Sequence, residues 1–270
     1  MNTPYEQLTF SNDFLFCKIL ESNPELCKEL VELIFGRRVK EIRNIRSQFS
    51  LKQTVKGKGV RFDIIFEDED NIVYDFEMQT TDVHNLPKRT RYYQAMLDTS
   101  SIEQGIDYEE LPQSYIVFIC TFNPFESGRH LYTFENRCAE EPTLSLDDKS
   151  QKVFLCTEGD KDDVSQEIME FLDYVAGRKR EGKLANELDA EVKNALEKEE
   201  WRAEYMQNMA AIMDAKREGR TEGRAEGRAE GRAEEHRDNL EKLANSYLST
   251  NAASTKEEAM EMAEAILGKA

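Results

Sequence analysis

Cysteine, histidine and positive charge are scarce in this chain, and each shortage excludes something. The five cysteines, Cys17, Cys27, Cys120, Cys138 and Cys156, are an odd, scattered set with no C-x-x-C pair. Such a set predicts reduced thiols in a cytoplasmic protein, not a disulfide framework. The three histidines, His84, His130 and His236, lie far apart, so no zinc site is expected. No long apolar run occurs, and no transmembrane helix is expected. The opening MNTPYEQLTF lacks a basic-then-apolar pattern, so no secretory signal is expected there. Lys and Arg number 36 against 54 Asp and Glu, a formal net charge of −18. That balance speaks against a surface coated for nucleic-acid binding but leaves room for a local basic groove. Two clusters qualify: Lys56, Lys58 and Arg61, and then Lys88, Arg89 and Arg91.

What is present supports a core. Of 270 residues 39% are hydrophobic, enough for one sizeable α/β domain with something smaller beside it. Charged residues reach 33%, above the usual quarter, which predicts that part of the chain is exposed helix. Ser11-Asn12-Asp13 predicts the start of a helix carrying Leu15, Phe16, Ile19 and Leu20. Asn23-Pro24-Glu25 predicts a second, with Asn as N-cap, Pro at the first helical position and Gly36 as terminator. A strand is expected within 39–45.

Residues 60–79 are the most informative. Val60, Phe62, Ile64 and Phe66 alternate with Arg61, Asp63 and Ile65; Ile72, Tyr74, Phe76 and Met78 alternate with Val73, Asp75, Glu77 and Gln79. A period of two predicts two strands, each with one packed face. The acidic run 67–71 between them reads as a hairpin turn. Matching the apolar faces requires odd residues beside odd ones, which puts Asp63 on one face with Asp75, Glu77 and Gln79. A helix is expected over 86–101, strands over 115–121, 131–136 and 152–157, and an amphipathic helix over 164–175.

The compact domain is expected to cover 1–177, and 178–270 to form a charged helical tail. That tail holds four Glu-Gly-Arg tetrads between Glu218 and Arg232. A four-residue repeat drifts about 40° around a helix, so it builds no fixed seam. A solvated helical spacer is the expectation, with any homo-oligomer forming through the helices that flank it. Ser254 with Glu257 and Thr255 with Glu258 are rival capping boxes before a final helix.

Asp63 and Glu77 offer hard oxygen ligands, and two carboxylates at one point suit Mg²⁺, with Mn²⁺ as a substitute. Such a metal polarises a scissile phosphate and activates water. Gln79, two residues from Glu77 on the same face, is placed to orient that water by hydrogen bonding. Arg89, Arg91 and Lys58 are candidate phosphate contacts. The plainer reading of Asp63 and Glu77 is a solvated face of a half-exposed sheet. Asp75 reads as a neighbour of the site, and Asp13 as a residue at the top of the first helix.

The spacing resembles the PD-(D/E)XK nuclease signature, and more closely the Rpn family of recombination-promoting nucleases and transposases within it. The likeness rests on Asn12-Asp13-Phe14, Arg61-Phe62-Asp63-Ile64, Asp75-Phe76-Glu77-Met78-Gln79, and Arg89 followed by Tyr92-Tyr93. It covers roughly 10–175, and the tetrads resemble tails common in that family. The resemblance implies a restriction-endonuclease-like α/β core, with a mixed central sheet flanked by helices. It also implies Mg²⁺-dependent cleavage of DNA in recombination or transposition. Two departures stand out: Phe62 occupies the place of the motif's Pro, and Gln79 that of its Lys. Gln is the residue expected within the Rpn branch, but it brings neither charge nor basicity. An alternative function is therefore a catalytically inactive nuclease fold serving as a DNA-binding or assembly module.

Overall fold

The computed structural model describes residues 3–52, 58–102, 104–178 and 181–268; Lys56 of the first basic cluster lies outside them. The chain divides into two compact units, 1–205 and 206–270. In the first, helix α1 (Asp13–Ser22) begins at Asn12, whose side-chain oxygen accepts from the N–H groups of Phe14 and Leu15. Helix α2 (Pro24–Phe35) stops at Gly36, whose φ of 63° is left-handed and suits glycine. Asn23 stands at the N-cap position of α2 but does not cap it by its side chain. Its amide donates instead to the Ile19 carbonyl at 2.8 Å, closing the end of α1.

Strands β1 (Ile42–Leu51), β2 (Val60–Asp68), β3 (Val73–Gln79), β4 (Ser114–Cys120), β5 (Leu131–Phe134) and β6 (Ser150–Cys156) form one sheet in the order β1-β2-β3-β4-β6-β5. The first three strands are antiparallel, β3, β4 and β6 are parallel, and β5 returns antiparallel to β6. Strand β1 begins at Ile42, inside the expected 39–45, and runs on past it to Leu51. The Val39 N–H is taken by the Glu32 carboxylate at 2.9 Å, so that residue belongs to the turn after α2.

Helices cover both faces of the sheet. Tyr74 lies 5.8 Å from Phe35 of α2, while Val73 clusters with Leu86, Tyr93 and Met96 of helix α3 (Leu86–Ser101). Successive strand residues point to opposite sides, so α2 and α3 lie on opposite faces. This mixed sheet between helices is the expected architecture. The expectation of one packed face per strand is corrected: β2 and β3 are buried on both sides over most of their length. The alternation in these strands separates apolar side chains from carboxylates, not core from solvent.

The turn between β2 and β3 is organised by Asp68, which is fully buried. Its carboxylate accepts from the N–H groups of Asp70 at 2.9 Å and Ile72 at 3.1 Å, accepts from Tyr74 Oη at 2.8 Å, and pairs with Arg37. Asn71 takes the left-handed conformation in this turn, with φ 59°. Asp68→Ala removes the common acceptor of four donors. We expect it to cost about 3 kcal/mol and to lower the melting midpoint by roughly 6–12 °C in a thermal melt followed by circular dichroism.

Helices α4 (Gln166–Val175) and α5 (Lys183–Glu197) complete the first unit with the start of α6 (Glu199–Ser249). The compact unit therefore continues past 177 to Tyr205. Helix α5 buries Ala185, Leu188, Val192 and Ala195, and Tyr5 Oη donates to the Ala195 carbonyl at 2.7 Å. Tyr205 packs 5.4 Å from Phe14. A helix with one buried stripe and a charged outer face has the composition of a tail, so composition placed the boundary too early. In the second unit the tetrads are helical and exposed. Helix α7 (Lys256–Leu267) packs Ala259 and Ala263 with Leu240 and Ala244 of α6. Of the two rival starts Thr255 is the N-cap: its hydroxyl accepts from the Glu258 N–H, while the Glu258 carboxylate reaches one residue further back to the Ser254 N–H, not to the Thr255 N–H of a full capping box. Among the described residues, no helix is long and apolar enough to cross a membrane.

Candidate active site

The β2–β3 ladder runs from Glu67 opposite Val73 to Ile64 opposite Phe76, which sets odd residues beside odd ones as expected. At Asp63, side chains take over from the ladder. Glu77 Oε1 accepts from the Asp63 N–H at 2.8 Å, and Asp63 Oδ2 accepts from the Met78 N–H at 3.0 Å. The Cys17 thiol donates to the Asp63 carbonyl at 3.1 Å, tying α1 to this point. The alternation of β2 slips here. Phe62 packs 5.1 Å from Tyr93 and clusters with Ile65 and Val73, whereas strict alternation sets it opposite Ile65. Carboxylates that replace main-chain acceptors release the strand from regular pairing.

Glu77 and Asp75 are fully buried and Asp63 is 7% exposed. Arg89 of α3 reaches into this group, donating from Nη2 to Glu77 Oε2 and from Nη1 to Gln79 Oε1, both at 2.7 Å. Gln79 in turn donates from Nε2 to the Thr81 carbonyl at 2.7 Å. The Arg89 guanidinium also lies over the Tyr93 and Phe118 rings, at 4.8 and 5.4 Å from their centroids. Among the described residues no N–H or hydroxyl donor meets either oxygen of Asp75, whose neighbour within hydrogen-bond reach is the Glu77 carboxyl.

Burial sets the protonation of these groups. It pushes the Asp63 carboxyl up to about 6, with Asp13 adding to the rise and the Met78 N–H bond and Arg89 opposing it. Burial raises Asp75 well above the usual range, and the charges of Glu77 and Asp63 raise it further. Glu77 is raised by burial and by Asp63, while Arg89 pulls it down. One guanidinium cannot balance three ionised carboxylates, so burial and mutual repulsion hold the set toward its protonated forms, and a bound cation would favour the charged ones.

The two basic clusters of the sequence meet beside these carboxylates. Lys58, Arg61, Lys88, Arg89 and Tyr92 line one open groove with Asp63. Tyr92 Oη donates to the Lys58 carbonyl, which holds the groove's edge to α3. Asp13 stands at its rim, with Oδ2 3.6 Å from Arg61 Nη2. Arg91 departs from expectation. Two residues beyond Arg89 it lies about 200° further round the helix, and it lines a separate cavity.

A family model for PD-(D/E)XK nuclease family transposases matches residues 10–222. The chain belongs to that family. No curated protein and no solved structure matches it. The match runs beyond α5, in keeping with a compact unit that extends to Tyr205.

In this member of the family, four of the sequence-predicted residues, Asp63, Glu77, Gln79 and Arg89, are joined by hydrogen bonds at or beside the hairpin. Lys58 lines the adjoining groove. Sequence reasoning underrated Asp75, although its place on the odd face was visible, and it missed that Arg89 holds both Glu77 and Gln79. PD-(D/E)XK nucleases generally use divalent metals. Among the described residues no group of three or more His, Cys, Asp or Glu is arranged to hold one. Mg²⁺ needs only one or two carboxylates, with water and phosphate oxygens completing its shell, so Asp63 and Glu77 suffice in number and chemistry.

Proposed function

We propose that the chain is a divalent-metal-dependent DNA endonuclease that hydrolyses phosphodiester bonds in recombination or transposition, with Asp63, Glu77 and Gln79 at its centre. The observation that carries this reading is the burial of three carboxyl groups with a single arginine beside a basic groove. Proteins rarely bury carboxylates without partners unless a cation or a function requires them. Asp63 and Glu77 would hold Mg²⁺ or Mn²⁺, which when bound supplies charge for the scissile phosphate and an acidified water. Lys58, Arg61 and Lys88 would fix the phosphate backbone in the groove, a contact that positions DNA without reading its sequence. Arg89 would balance Glu77 before DNA arrives, and its planar fork matches a phosphate afterwards. Gln79 orients that fork through its Oε1.

The test is cleavage of supercoiled plasmid by purified protein in EDTA, Mg²⁺ and Mn²⁺, beside Asp63→Ala. Nicking that needs metal and disappears in the variant supports the reading; no nicking by folded wild type in any metal overturns it. In the same assay Gln79→Ala should slow nicking by about a hundredfold, because a freed Arg89 no longer sits in register. Its melting midpoint should stay near that of wild type, since Gln79 is only half-buried.

A second reading is a non-catalytic DNA-binding or assembly module. What favours it is that both Glu77 oxygens are already engaged, by the Asp63 N–H and by Arg89. It predicts plasmid binding without nicking, unchanged by Asp63→Ala.

A further inference from the structure

Helix α3 also borders a cavity that the hairpin chemistry does not use. On the side that carries Arg91, the helix faces the segment before β4 and the strands β5 and β6 across a space of about 620 Å³. That is within the range of pockets that enclose small organic ligands. Three rings line it: Phe125 lies 5.1 Å from Phe134 and 5.0 Å from Phe154. Phe134 is 44% exposed, so part of its ring is open to solvent beside the cavity.

The polar lining is more specific. Gln94 is 8% exposed and donates from Nε2 to Asp98 Oδ1 at 2.8 Å and to Ser114 Oγ at 2.7 Å. A carboxylate only accepts, so the nitrogen of this amide must face Asp98. Its Oε1 is then a buried acceptor, and among the described residues no donor reaches it. Such an acceptor calls for an N–H from outside the chain. The charged residues of the lining are Arg91 and Lys152 against Asp98, Glu135 and Asp148, a slightly negative set that disfavours an anion in the interior.

We propose that this cavity holds a nucleobase bearing an exocyclic amino group, with its ring against the three phenylalanines and its amine donated to Gln94 Oε1. The choice of a nucleobase among flat heterocycles rests on the DNA reading above. Aromatic side chains stack on any base, and an amide oxygen discriminates by accepting from an amine. An amino group has two hydrogens for the two acceptors, Gln94 and Asp98. Thymine has one N–H between two carbonyl oxygens, which would face those acceptors with like charge. The base could belong to a strand bound in the groove or to a free nucleoside, since both present the same edge and face.

Saturation-transfer NMR with deoxyadenosine, thymidine and a single-stranded oligodeoxyadenylate, all in EDTA, tests this without any cleavage. Wild type should bind deoxyadenosine at least about tenfold more tightly than thymidine. Gln94→Leu should remove that preference. Because Gln94→Leu also breaks bonds to Asp98 and Ser114, the companion variant is Ala95→Tyr. Ala95 is an exposed lining residue of α3, and a tyrosine there closes the mouth while leaving Gln94 in place. No deoxyadenosine binding by wild type, equal binding of thymidine, or full binding by Ala95→Tyr would each overturn the proposal. Tighter binding of the oligonucleotide than of the nucleoside supports a strand base as the source, and equal binding supports a free one. A failure here leaves metal-dependent nicking untouched, and a failure of nicking leaves this binding measurable.

Discussion

Asp63→Ala protein should nick supercoiled plasmid at about a thousandth of the wild-type rate or less, the equivalent of about 4 kcal/mol of lost transition-state stabilisation. Asp63 is one of two carboxylates proposed to hold the metal, and Glu77 by itself is neutralised by Arg89. Removing Asp63 therefore takes away the stronger claim on a cation. The variant should still fold. It leaves the Met78 N–H without its acceptor, a loss of about 1–3 kcal/mol, but it also removes a buried charge that the folded state carries at a cost. Asp63→Asn keeps an acceptor for Met78 and removes only the charge, so it should melt close to wild type and be as inactive. Plasmid nicking and a thermal melt on both variants separate loss of chemistry from loss of structure. Nicking by Asp63→Asn near the wild-type rate would sink the assignment of Asp63.

Arg89→Ala should be the most destabilising single change at this site. It breaks an ion pair of 2.7 Å whose carboxylate side chain is only 1% exposed. Removing one partner of a buried pair costs about 3–5 kcal/mol, because the other charge stays behind without compensation. For a unit of this size the midpoint should fall by roughly 6–20 °C. The pH dependence has a definite sign. Burial already holds the Glu77 carboxyl above its unfolded value, and Arg89 is what pulls it down. Without Arg89 the folded value rises further. A carboxyl raised in the folded state binds a proton that the unfolded chain has already released, so its contribution to stability falls as pH rises above the unfolded value. The deficit of Arg89→Ala relative to wild type should be largest at neutral pH and shrink as pH falls toward the ordinary carboxylate range. Melting midpoints of both proteins from pH 5 to 8 check this, and a deficit independent of pH would point to lost packing against Tyr93 and Phe118 instead.

Much of the site was legible before any coordinates. The alternation in 60–66 and 72–79 located both strands, the acidic run located the turn, and the matched faces set odd residues opposite odd ones. Helix α3 was bounded correctly at both ends. What alternation does not report is what covers each face. A strand residue's partners come from the helices above it and from strands distant in sequence, and those are set by chain topology. For that reason the reading of Asp75 as a neighbour of the site did not reveal that it is fully buried, and Phe62 changed faces where the ladder gave way. The same limit explains Arg91, which shared a cluster with Arg89 in sequence and lines a different cavity in space.

The sequence by itself determined the local order: caps, turns, strand periods and the residue types offered to a metal and a phosphate. These depend on contacts within a few residues, where spacing along the chain dictates geometry. Only the tertiary structure decided that three carboxylates are buried together with one arginine across β2, β3 and α3. Their raised proton affinity is a property of their shared burial, since desolvation and mutual repulsion act on groups brought together and cannot be read from any one of them along the chain.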